Sequence, residues 1–336
     1  MSLKNKRVFV TGADGFIGSH LVEKLVAEGA QVRALSLYNS FNTWGWLDRL
    51  DQDLLKSVEI VTGDVRDSDC VHQYTRGCEI VFHLAALIAI PYSYQSPESY
   101  VQTNILGTLN VLRACRSHSV ARMIHTSTSE VYGTAEYVPI DEKHPLKGQS
   151  PYAATKIGAD ELALSFFRSF DTPVTVLRPF NTYGPRQSAR AIVPTIITQI
   201  VTGREAIELG NLETTRDLSY VADTVGGFVA AAQAENTAGE VINVGSGCEV
   251  SVKELTRIIA DLLNRDVTIR QATVRMRPSR SEVTRLLADT RKAESLLRWK
   301  REYEGPDGLR RGLSETIEFF SDRRNLAFYK PEIFNI

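Results

Sequence analysis

The stretch Thr126–Gly133 (TSTSEVYG) holds the residues of this 336-residue chain best suited to chemistry. Thr128 and Ser129 supply hydroxyl groups and Glu130 supplies a carboxylate, directly after the apolar run Arg122–His125, which predicts a strand. In an open parallel sheet, ligands bind in the crevice beyond the carboxyl ends of the strands. The alternative is a polar strand end whose hydroxyls only cap a turn, and the octapeptide alone leaves both interpretations open.

A second candidate group lies in a predicted helix that begins at Ser150-Pro151. Tyr152 and Lys156 are one turn apart on the same helix face, a YxxxK spacing. A nearby ammonium stabilises a phenolate and lowers the phenol pKa, which is about 10 in the free residue. Tyr152 is therefore a candidate acid–base residue near neutral pH. YxxxK alone arises by chance on many helices and becomes specific only in combination with other motifs.

The elements that must position these groups start with a strand, a turn and a helix near the N-terminus. Arg7–Val10 predicts a strand, and Ser19–Ala27 predicts a helix that Gly29 ends. The glycines between them form GxxGxxG, which permits a tight turn and lets a pyrophosphate approach backbone N–H groups at the helix start. We therefore predict a dinucleotide-binding turn. Its expected cofactor contacts are Gly12, Asp14, Gly15, Phe16, Ile17 and Gly18.

The end of the second predicted strand, Gln31–Leu37, bears on the choice between NAD and NADP. NAD enzymes commonly place Asp or Glu there, against the ribose 2′-hydroxyl. This chain has Ser36 at that place, and no carboxylate follows until Asp48. No arginine pair marks a 2′-phosphate site either, so the cofactor stays NAD or NADP.

Two further predicted strands end in residues expected to contact the cofactor. Val58–Thr62 should lead to the adenine and Glu79–His83 to the nicotinamide. We interpret His83 itself as a core histidine rather than a proton-transfer group. The expected contacts are Asp64 and Val65 after the first strand and Leu84, Ala85 and Ala86 after the second.

The alternation of strands and helices predicts an α/β fold, a doubly wound parallel sheet of the Rossmann type with a smaller C-terminal substrate-binding lobe. The alternation loosens beyond Gly184-Pro185, after the predicted strand Val174–Leu177. The helix Ala222–Ala234 and the strand Val241–Val244 are expected to return to the sheet. The cofactor domain then comprises residues 1–180 plus about 221–246, and the substrate lobe about 181–220 plus 247–336.

Charge and hydropathy limit the expected partners. Lys and Arg number 39 against 40 Asp and Glu, so net charge favours neither nucleic acid nor an anionic membrane. The longest nearly apolar run, Ile80–Ile90, is shorter than the roughly 20 residues that cross a bilayer. A strand that starts at Arg7 leaves no room for a signal peptide, so a cytoplasmic protein is expected. The cysteines show no metal-binding spacing and are expected to be reduced thiols, mostly buried, with no metal.

One segment departs from the balance of charge: between Arg265 and Arg301 the chain has eleven Lys or Arg and only four Asp or Glu. Arg275, Arg277 and Arg280 surround Pro278 in a predicted loop, where guanidinium groups can bind phosphate oxygens in pairs. A solvated charged face is the alternative. Nucleic acid is not expected, because no aromatic residues are interleaved among these arginines.

In combination, GxxGxxG, TSTSEVYG and YxxxK resemble the motifs of extended short-chain dehydrogenases/reductases that modify nucleotide sugars, from about Lys6 to about Trp299. Both retaining 4,6-dehydratases and UDP-glucuronate decarboxylases can carry T-S-E at this strand end, so Glu130 does not separate them. Longer segments are similar to the 4,6-dehydratase of bacterial legionaminic acid biosynthesis, which acts on nucleotide-linked N-acetylglucosamine. These segments are Ser40–Asp48, His83–Tyr94 and Arg178–Ile200.

The resemblance implies a lyase that converts a UDP- or GDP-linked sugar to its 4-keto-6-deoxy form with a tightly bound, regenerated NAD or NADP. Tyr152 would take the O4 proton, while Thr128 and Lys156 position the hydroxyl and the ribose. Glu130 would take the C5 proton. Members that read T-D-E use the aspartate to protonate the C6 hydroxyl, whereas Ser129 stands here; a relay through water and a second role for Glu130 both stay open. The implied diphosphate-binding residues are Asn181, Arg216, Arg277 or Arg280, and Arg190.

Three other activities and one assembly state complete the expectations. A UDP-glucuronate decarboxylase, a 4-epimerase and a non-catalytic cofactor-binding sensor are the alternatives to a dehydratase. A homodimer is expected, because the predicted helix Ser99–Arg116 places Val101, Ile105, Leu109 and Leu112 on one apolar face. The tail after Phe319 shows no chemical signal.

Overall fold

The computed structural model describes residues 1–330, so the last six residues of the predicted substrate lobe lie outside the described chain. The strands are β1 (Arg7–Thr11), β2 (Gln31–Leu37), β3 (Val58–Gly63), β4 (Ile80–His83), β5 (Arg122–Thr126), β6 (Val174–Pro179), β7 (Asn181–Tyr183), β8 (Ala206–Leu209), β9 (Thr215–Tyr220), β10 (Val241–Val244), β11 (Glu249–Ser251) and β12 (Thr268–Gln271). The α-helices are α1 (Phe16–Ala27), α2 (Gln52–Lys56), α3 (Ser68–Thr75), α4 (Ile90–Gln95), α5 (Pro97–Tyr100), α6 (Gly107–Ser117), α7 (Pro151–Phe170), α8 (Ile192–Val201), α9 (Val221–Gln233), α10 (Val252–Leu262), α11 (Arg291–Leu297), α12 (Gly305–Ser321) and α13 (Arg323–Leu326). Short 3₁₀ turns cover Gly45–Arg49, Ser129–Tyr132 and Thr273–Arg275.

The parallel arrangement of the main sheet explains the position of the site. Within the described residues it has seven strands in the order β10-β6-β5-β4-β1-β2-β3, all parallel. The chain runs outward in opposite directions from β1, and such a switch point forms the ligand crevice of a doubly wound sheet. The predicted Rossmann fold is confirmed, and so is the return of Val241–Val244 to the sheet.

Alternate residues of each central strand enter two different apolar cores. Val8 and Val10 of β1 pack in the core below one face, together with residues of α1 and α9, whereas Phe9 packs in the other with residues of α6 and α7. Side chains of a strand alternate between faces, so a strand covered by helices on both sides must be apolar throughout. That requirement explains the continuous apolar runs of β1 and β4.

A π-helical segment, Val101–Leu106, joins α5 and α6. The predicted helix Ser99–Arg116 is therefore helical throughout but not uniformly α-helical. Asn104 in this segment donates to the carbonyl of Leu87 at 3.0 Å and accepts from its N–H at 2.9 Å, which fixes the loop after β4. Such segments often occur where a helix serves a site.

Two smaller sheets follow the end of β6. One joins β11, β9 and β7, and the other joins β12 and β8. The three-stranded sheet carries Asn181 at the start of β7 and Arg216 in β9, so both residues extend from elements that begin where the main sheet ends. The division into a cofactor domain and a substrate lobe remains a prediction. Among the described helices, none combines the length and apolar character needed to cross a bilayer.

Candidate active site

The end of β5 and the start of α7 bring the TSTSEVYG and YxxxK motifs together. Thr128 caps the following 3₁₀ turn by accepting from the N–H of Glu130 at 3.2 Å, and its hydroxyl also hydrogen bonds to Tyr152. Ser150 caps α7 by accepting from the N–H of Ala153 at 3.1 Å. Gly133 ends the motif at φ +65°, and a side chain there would meet the carbonyl of Lys147 at 2.5 Å. The two motifs thus form one hydrogen-bonded site.

The environment of Tyr152 opposes its ionisation in the protein alone. Burial raises the pKa of Tyr152, the nearby charge of Glu130 raises it further, and the hydrogen bond from Thr128 lowers it. The lowered pKa expected from the YxxxK spacing is not found, because burial outweighs the favourable contacts of the phenol. The ammonium of Lys156 donates to the Thr126 carbonyl at 2.6 Å. A positive charge or a hydrogen-bond donor supplied by a bound ligand would favour the phenolate of Tyr152.

Lys156 is buried, and burial lowers its pKa to about 8, against the opposing charge of Asp160. Asp160 lies one further turn along α7 and is fully buried. Its carboxylate accepts from Ser127 Oγ at 2.6 Å and from Arg178 Nε and Nη2 at 3.1 and 3.0 Å. The sequence interpretation missed Asp160, although its i+4 spacing from Lys156 was a visible signal.

Glu130 is a buried carboxylate whose charge acts on both Tyr152 and Arg216. Burial lowers the pKa of Arg216. Arg216 Nη2 and Arg277 Nη1 lie 3.6 and 3.7 Å from the same carboxylate oxygen of Glu282. Two of the predicted diphosphate arginines thus converge on one anion of the chain, next to the predicted base. Glu282 was not predicted.

The other predicted site residues differ in burial. Ser129 is 1% exposed, and the buried side-chain oxygen of Asn181 has no hydrogen-bond partner among residues 1–330. Burial raises the pKa of Tyr100, which packs against Tyr152, to about 12, and the charge of the exposed Arg190 opposes that rise. Arg280 is exposed. Its backbone carbonyl accepts a hydrogen bond from Gln149 at 3.2 Å, and its side chain takes no part in that contact. The structure therefore brings Arg190 close to the Tyr152 pocket but leaves the Arg280 side chain on the surface.

Gln149 connects the arginine-rich loop to the catalytic turn. Its amide nitrogen donates to the carbonyls of Arg280 and Glu282, and its amide oxygen accepts from the N–H of Thr134. Ser281 Oγ donates to the Gln149 carbonyl and lies 2.6 Å from the hydroxyl of Tyr94. The contacts of Gln149 and Tyr94 with residues 280–282 join positions more than a hundred residues apart, so no local pattern could have predicted them.

The glycine-rich turn has the backbone cradle that a dinucleotide pyrophosphate requires. A side chain at Gly12 would lie 2.7 Å from the N–H of Ala85, and one at Gly18 would lie 2.0 Å from the Gly12 carbonyl. Gly15, at the N-cap of α1, is exposed. Backbone groups at a helix start are therefore open to an anion, and the residues present fit a dinucleotide cofactor. The contact between Gly12 and Ala85 also places the end of β4 beside the turn, as predicted.

The other residues expected at the cofactor divide into exposed and internal groups. The Ser36 hydroxyl is fully buried and lies 3.5 Å from Asp14 Oδ2, which also accepts from the N–H of Leu37 at 3.1 Å. Burial raises the pKa of Asp14, and these hydrogen bonds oppose the rise. The ring nitrogens of buried His83 lie 2.8 and 3.0 Å from the hydroxyls of Thr11 and Thr108, which confirms it as a core histidine. Phe16, Ile17, Asp64, Leu84, Ala85 and Ala86 are partly exposed, whereas Val65 is buried.

A family model described as GDP-mannose 4,6 dehydratase matches residues 9–312. The chain belongs to the GDP-mannose 4,6-dehydratase family. The names of two relatives of this chain state different activities. A putative UDP-glucose 4-epimerase of Methanocaldococcus jannaschii is 31% identical over 90% of this chain and 96% of its own length. A dTDP-glucose 4,6-dehydratase of Streptomyces antibioticus is 31% identical over 96% of this chain and 94% of its own.

A solved structure supports the assignment of this chain to the family. The dTDP-glucose 4,6-dehydratase of Streptomyces venezuelae, solved with NAD bound, superposes with a TM-score of 0.84 at 28% identity and covers 97% of this chain and 99% of its own. The extended short-chain dehydrogenase/reductase fold expected from the motifs is thereby confirmed. The family contains nucleotide-sugar dehydratases and epimerases, and the choice between them depends on the residues of the site.

Proposed function

We propose that the chain is an NAD(P)-dependent 4,6-dehydratase of UDP- or GDP-linked N-acetylglucosamine. The observation that carries the proposal is the buried carboxylate of Glu130, whose charge acts on Tyr152. Oxidation at C4 acidifies the proton on C5, and a carboxylate is a suitable base for its removal. A simple 4-epimerase needs no base beside C5. The similarity of Ser40–Asp48, His83–Tyr94 and Arg178–Ile200 to the legionaminic acid enzyme supports N-acetylglucosamine as the sugar.

Each proton in the proposed reaction has a residue of this chain to carry it. A bound nicotinamide cofactor supplies temporary storage for the hydride that leaves C4 and returns to C6. Tyr152 takes the O4 proton, held in place by the Thr128 hydroxyl. Glu130 takes the C5 proton and passes it to the departing C6 hydroxyl, which leaves as water. Glu130 then takes up a proton from solvent and delivers it to C5 as the hydride returns to C6, and Tyr152 releases the O4 proton to solvent. We assign both transfers at C5 and C6 to Glu130, because Ser129 is a weak acid and almost completely buried.

Arg216 and Arg277 are proposed to bind the substrate diphosphate in place of the Glu282 carboxylate, which lies between them in the protein alone. Two guanidinium groups give a diphosphate charge-assisted, bidentate hydrogen bonds. The buried, unpartnered side-chain oxygen of Asn181 is a further polar group at the end of the main sheet. The apolar face predicted for a dimer interface is partly wrong, because Leu112 is fully buried in the core and Leu109 packs against that core. We retain the homodimer as a proposal on Val101 of that face and on Leu106, which are 43% and 47% exposed.

The activity is tested by incubating the protein with UDP- and GDP-linked N-acetylglucosamine and UDP-glucuronate, without added reduced cofactor. We expect a product lighter than an N-acetylglucosamine substrate by the mass of one water. A product of unchanged mass would instead identify an epimerase, the second candidate, which is favoured by the equal identity to the Methanocaldococcus protein. Loss of carbon dioxide from UDP-glucuronate would identify a decarboxylase.

Glu130→Gln tests the assigned base. Because a carboxamide does not accept the C5 proton, we expect the variant to oxidise C4, accumulate reduced cofactor measured by its absorbance, and form no dehydrated product. Incubation in deuterated water should show no deuterium at C5. Deuterium incorporation at the wild-type level would remove Glu130 from the mechanism.

A further inference from the structure

The end of β2 lacks the acidic residue that NAD enzymes commonly carry there. Ser36 stands at that place, and its side chain is fully buried, so its hydroxyl is directed into the protein rather than toward a ribose. The strand β2 lies directly beside β1, with Thr11 opposite Leu35. The turn that follows β1 therefore runs alongside the end of β2 and can supply a side chain to it.

Asp14 of the glycine-rich turn occupies this position. The turn continues the strand pairing, because the N–H of Ala13 donates to the Leu35 carbonyl at 3.3 Å. Asp14 Oδ2 then accepts from the N–H of Leu37 at 3.1 Å and lies 3.5 Å from Ser36 Oγ. Both contacts involve Oδ2, and no other residue within 1–330 donates to Oδ1, which can therefore accept from a ligand. A carboxylate from β1 thus replaces one that would ordinarily come from β2.

The backbone of Asp14 is held from its other side. Its carbonyl accepts from the N–H of Trp46 at 3.0 Å, and a side chain at Gly45 would lie only 2.7 Å from the same oxygen. Gly45 has φ +59°, a conformation that favours glycine. The loop after β2 therefore fixes the backbone of Asp14. This limits how far the Asp14 carboxylate can move away from a ribose 2′-phosphate.

The neighbouring strand end, that of β3, adds a second carboxylate, and the arginine beside it is already paired with that carboxylate. Asp64 follows β3, and Arg66 Nε donates to both of its oxygens at 3.0 and 2.9 Å. Burial raises the pKa of Asp14, the hydrogen bonds from Leu37 and Ser36 oppose that rise, and no lysine or arginine within residues 1–330 shifts it. A phosphate at the ribose 2′ position would therefore meet a negative charge that no described cation neutralises.

We propose that Asp14 selects NAD over NADP: its carboxylate accepts a hydrogen bond from the ribose 2′-hydroxyl and repels a 2′-phosphate. The inference rests on the proposed function only in requiring that the glycine-rich turn bind a nicotinamide dinucleotide. It makes Asp14 a specificity residue of the cofactor site and leaves the sugar and the reaction type open.

The test measures binding rather than turnover. The protein is stripped of copurified dinucleotide, and the dissociation constants of NAD⁺ and NADP⁺ are measured by calorimetry for the wild type, Asp14→Asn and Asp53→Asn. We expect the wild type to bind NAD⁺ about 100-fold more tightly, because like charges in an interface are strongly disfavoured. Asp14→Asn should reduce this ratio to about 10-fold or less, mainly through tighter NADP⁺ binding. Asp53, an exposed partner of Lys56 outside the site, matches the charge change and should keep the wild-type ratio.

A salt series on the wild type gives a second readout that needs no variant. Salt screens repulsion, so NADP⁺ should gain affinity relative to NAD⁺ as ionic strength rises. A 2′-phosphate held by an arginine would show the opposite trend. Equal or tighter binding of NADP⁺ by the wild type, or an unchanged ratio in folded Asp14→Asn, would overturn the inference and leave the proposed dehydratase intact. Failure to bind either dinucleotide would overturn both.

Discussion

Burial shifts the pKa values of the two residues of the YxxxK pair in opposite directions. It raises the pKa of Tyr152 and lowers that of Lys156 to about 8, so both side chains are pushed toward their neutral forms. The pair is therefore not a preformed phenolate–ammonium couple. Its useful charge state has to be stabilised by a ligand, and the Thr128 hydrogen bond is the described interaction that already favours the phenolate.

Tyr152→Phe should abolish sugar turnover while leaving cofactor binding within about threefold of wild type, because the substitution removes only the hydroxyl that exchanges the O4 proton. Product formation is measured by mass spectrometry and cofactor binding by calorimetry. Tyr100→Phe is a matched control, since its hydroxyl donates to the Ala89 carbonyl instead of reaching Thr128. Near-normal turnover of Tyr152→Phe would end the proposed base role.

The buried ammonium of Lys156 should be visible in the pH dependence of stability. Its pKa is lowered from 10.5 to about 8, so between these values the unfolded chain binds more protons than the folded one. The free energy of unfolding should therefore rise with pH across this window, by up to about 3 kcal/mol from this group. Urea titrations of wild type and Lys156→Met isolate the effect as their difference, because Tyr152 is present in both. A difference that is flat from pH 8 to 10 would contradict the lowered pKa.

At the level of elements, α7 is held in register with the sheet by one carboxylate. Asp160 accepts from Ser127, at the end of β5, and from Arg178 in β6, while Lys156 on the same helix donates to the Thr126 carbonyl. The helix that carries Tyr152 is thereby fixed to two neighbouring strand ends. Because these contacts are buried, the geometry of the site depends on them more than on helix propensity.

Asp160→Asn should lower the free energy of unfolding by about 3–5 kcal/mol, because it leaves the buried Arg178 guanidinium without its charge partner. Equilibrium urea denaturation measures this loss. Asp53→Asn removes an exposed carboxylate and should change stability by no more than about 0.5 kcal/mol. A loss of similar size in both variants would show that the buried network does not hold the helix.

The sequence predicted elements better than it predicted contacts between them. The bounds of β2 and β10 match the predicted strands, because their apolar residues are required by cover on both faces. The π-helical segment was not predicted, since it depends on Asn104 bonding to Leu87 in another loop. Tyr152, Lys156 and Glu130 lie in local motifs, whereas Asp14 reaches its position only through the pairing of β1 with β2.

At the scale of the whole molecule, the chain beyond the main sheet is attached to α1 by an ion pair and a hydrogen bond. Arg186 forms a bidentate pair with Glu23 of α1 at 2.7 and 3.0 Å, and the Pro185 carbonyl lies 3.0 Å from the His20 ring. These contacts cross the boundary predicted near Gly184-Pro185. The segment expected to bind the sugar is therefore attached directly to α1, the helix whose N-terminus is proposed to bind the cofactor pyrophosphate.

The C-terminal segment, whose sequence showed no chemical signal, makes a second attachment through Trp46. The indole stacks on Tyr329 at 5.9 Å and meets Phe319 and Phe328 edge-on at 5.8 and 6.3 Å. The backbone N–H of Trp46 donates to the Asp14 carbonyl, so these aromatic contacts support the glycine-rich turn that is proposed to hold the cofactor. Arg49 lies 4.0 Å above the Phe328 ring and adds a cation–π contact.

Trp46→Ala should therefore speed cofactor release by about tenfold, since a loss of about 1.4 kcal/mol in loop stability corresponds to that factor. Stopped-flow displacement of bound NAD⁺ by a fluorescent analogue measures the release rate. Trp44→Ala is the matched control, because Trp44 is 44% exposed and lies in the same loop outside the aromatic cluster. Equal release rates for wild type and a folded Trp46→Ala would show that the C-terminal segment stabilises the chain without controlling how long the cofactor stays bound.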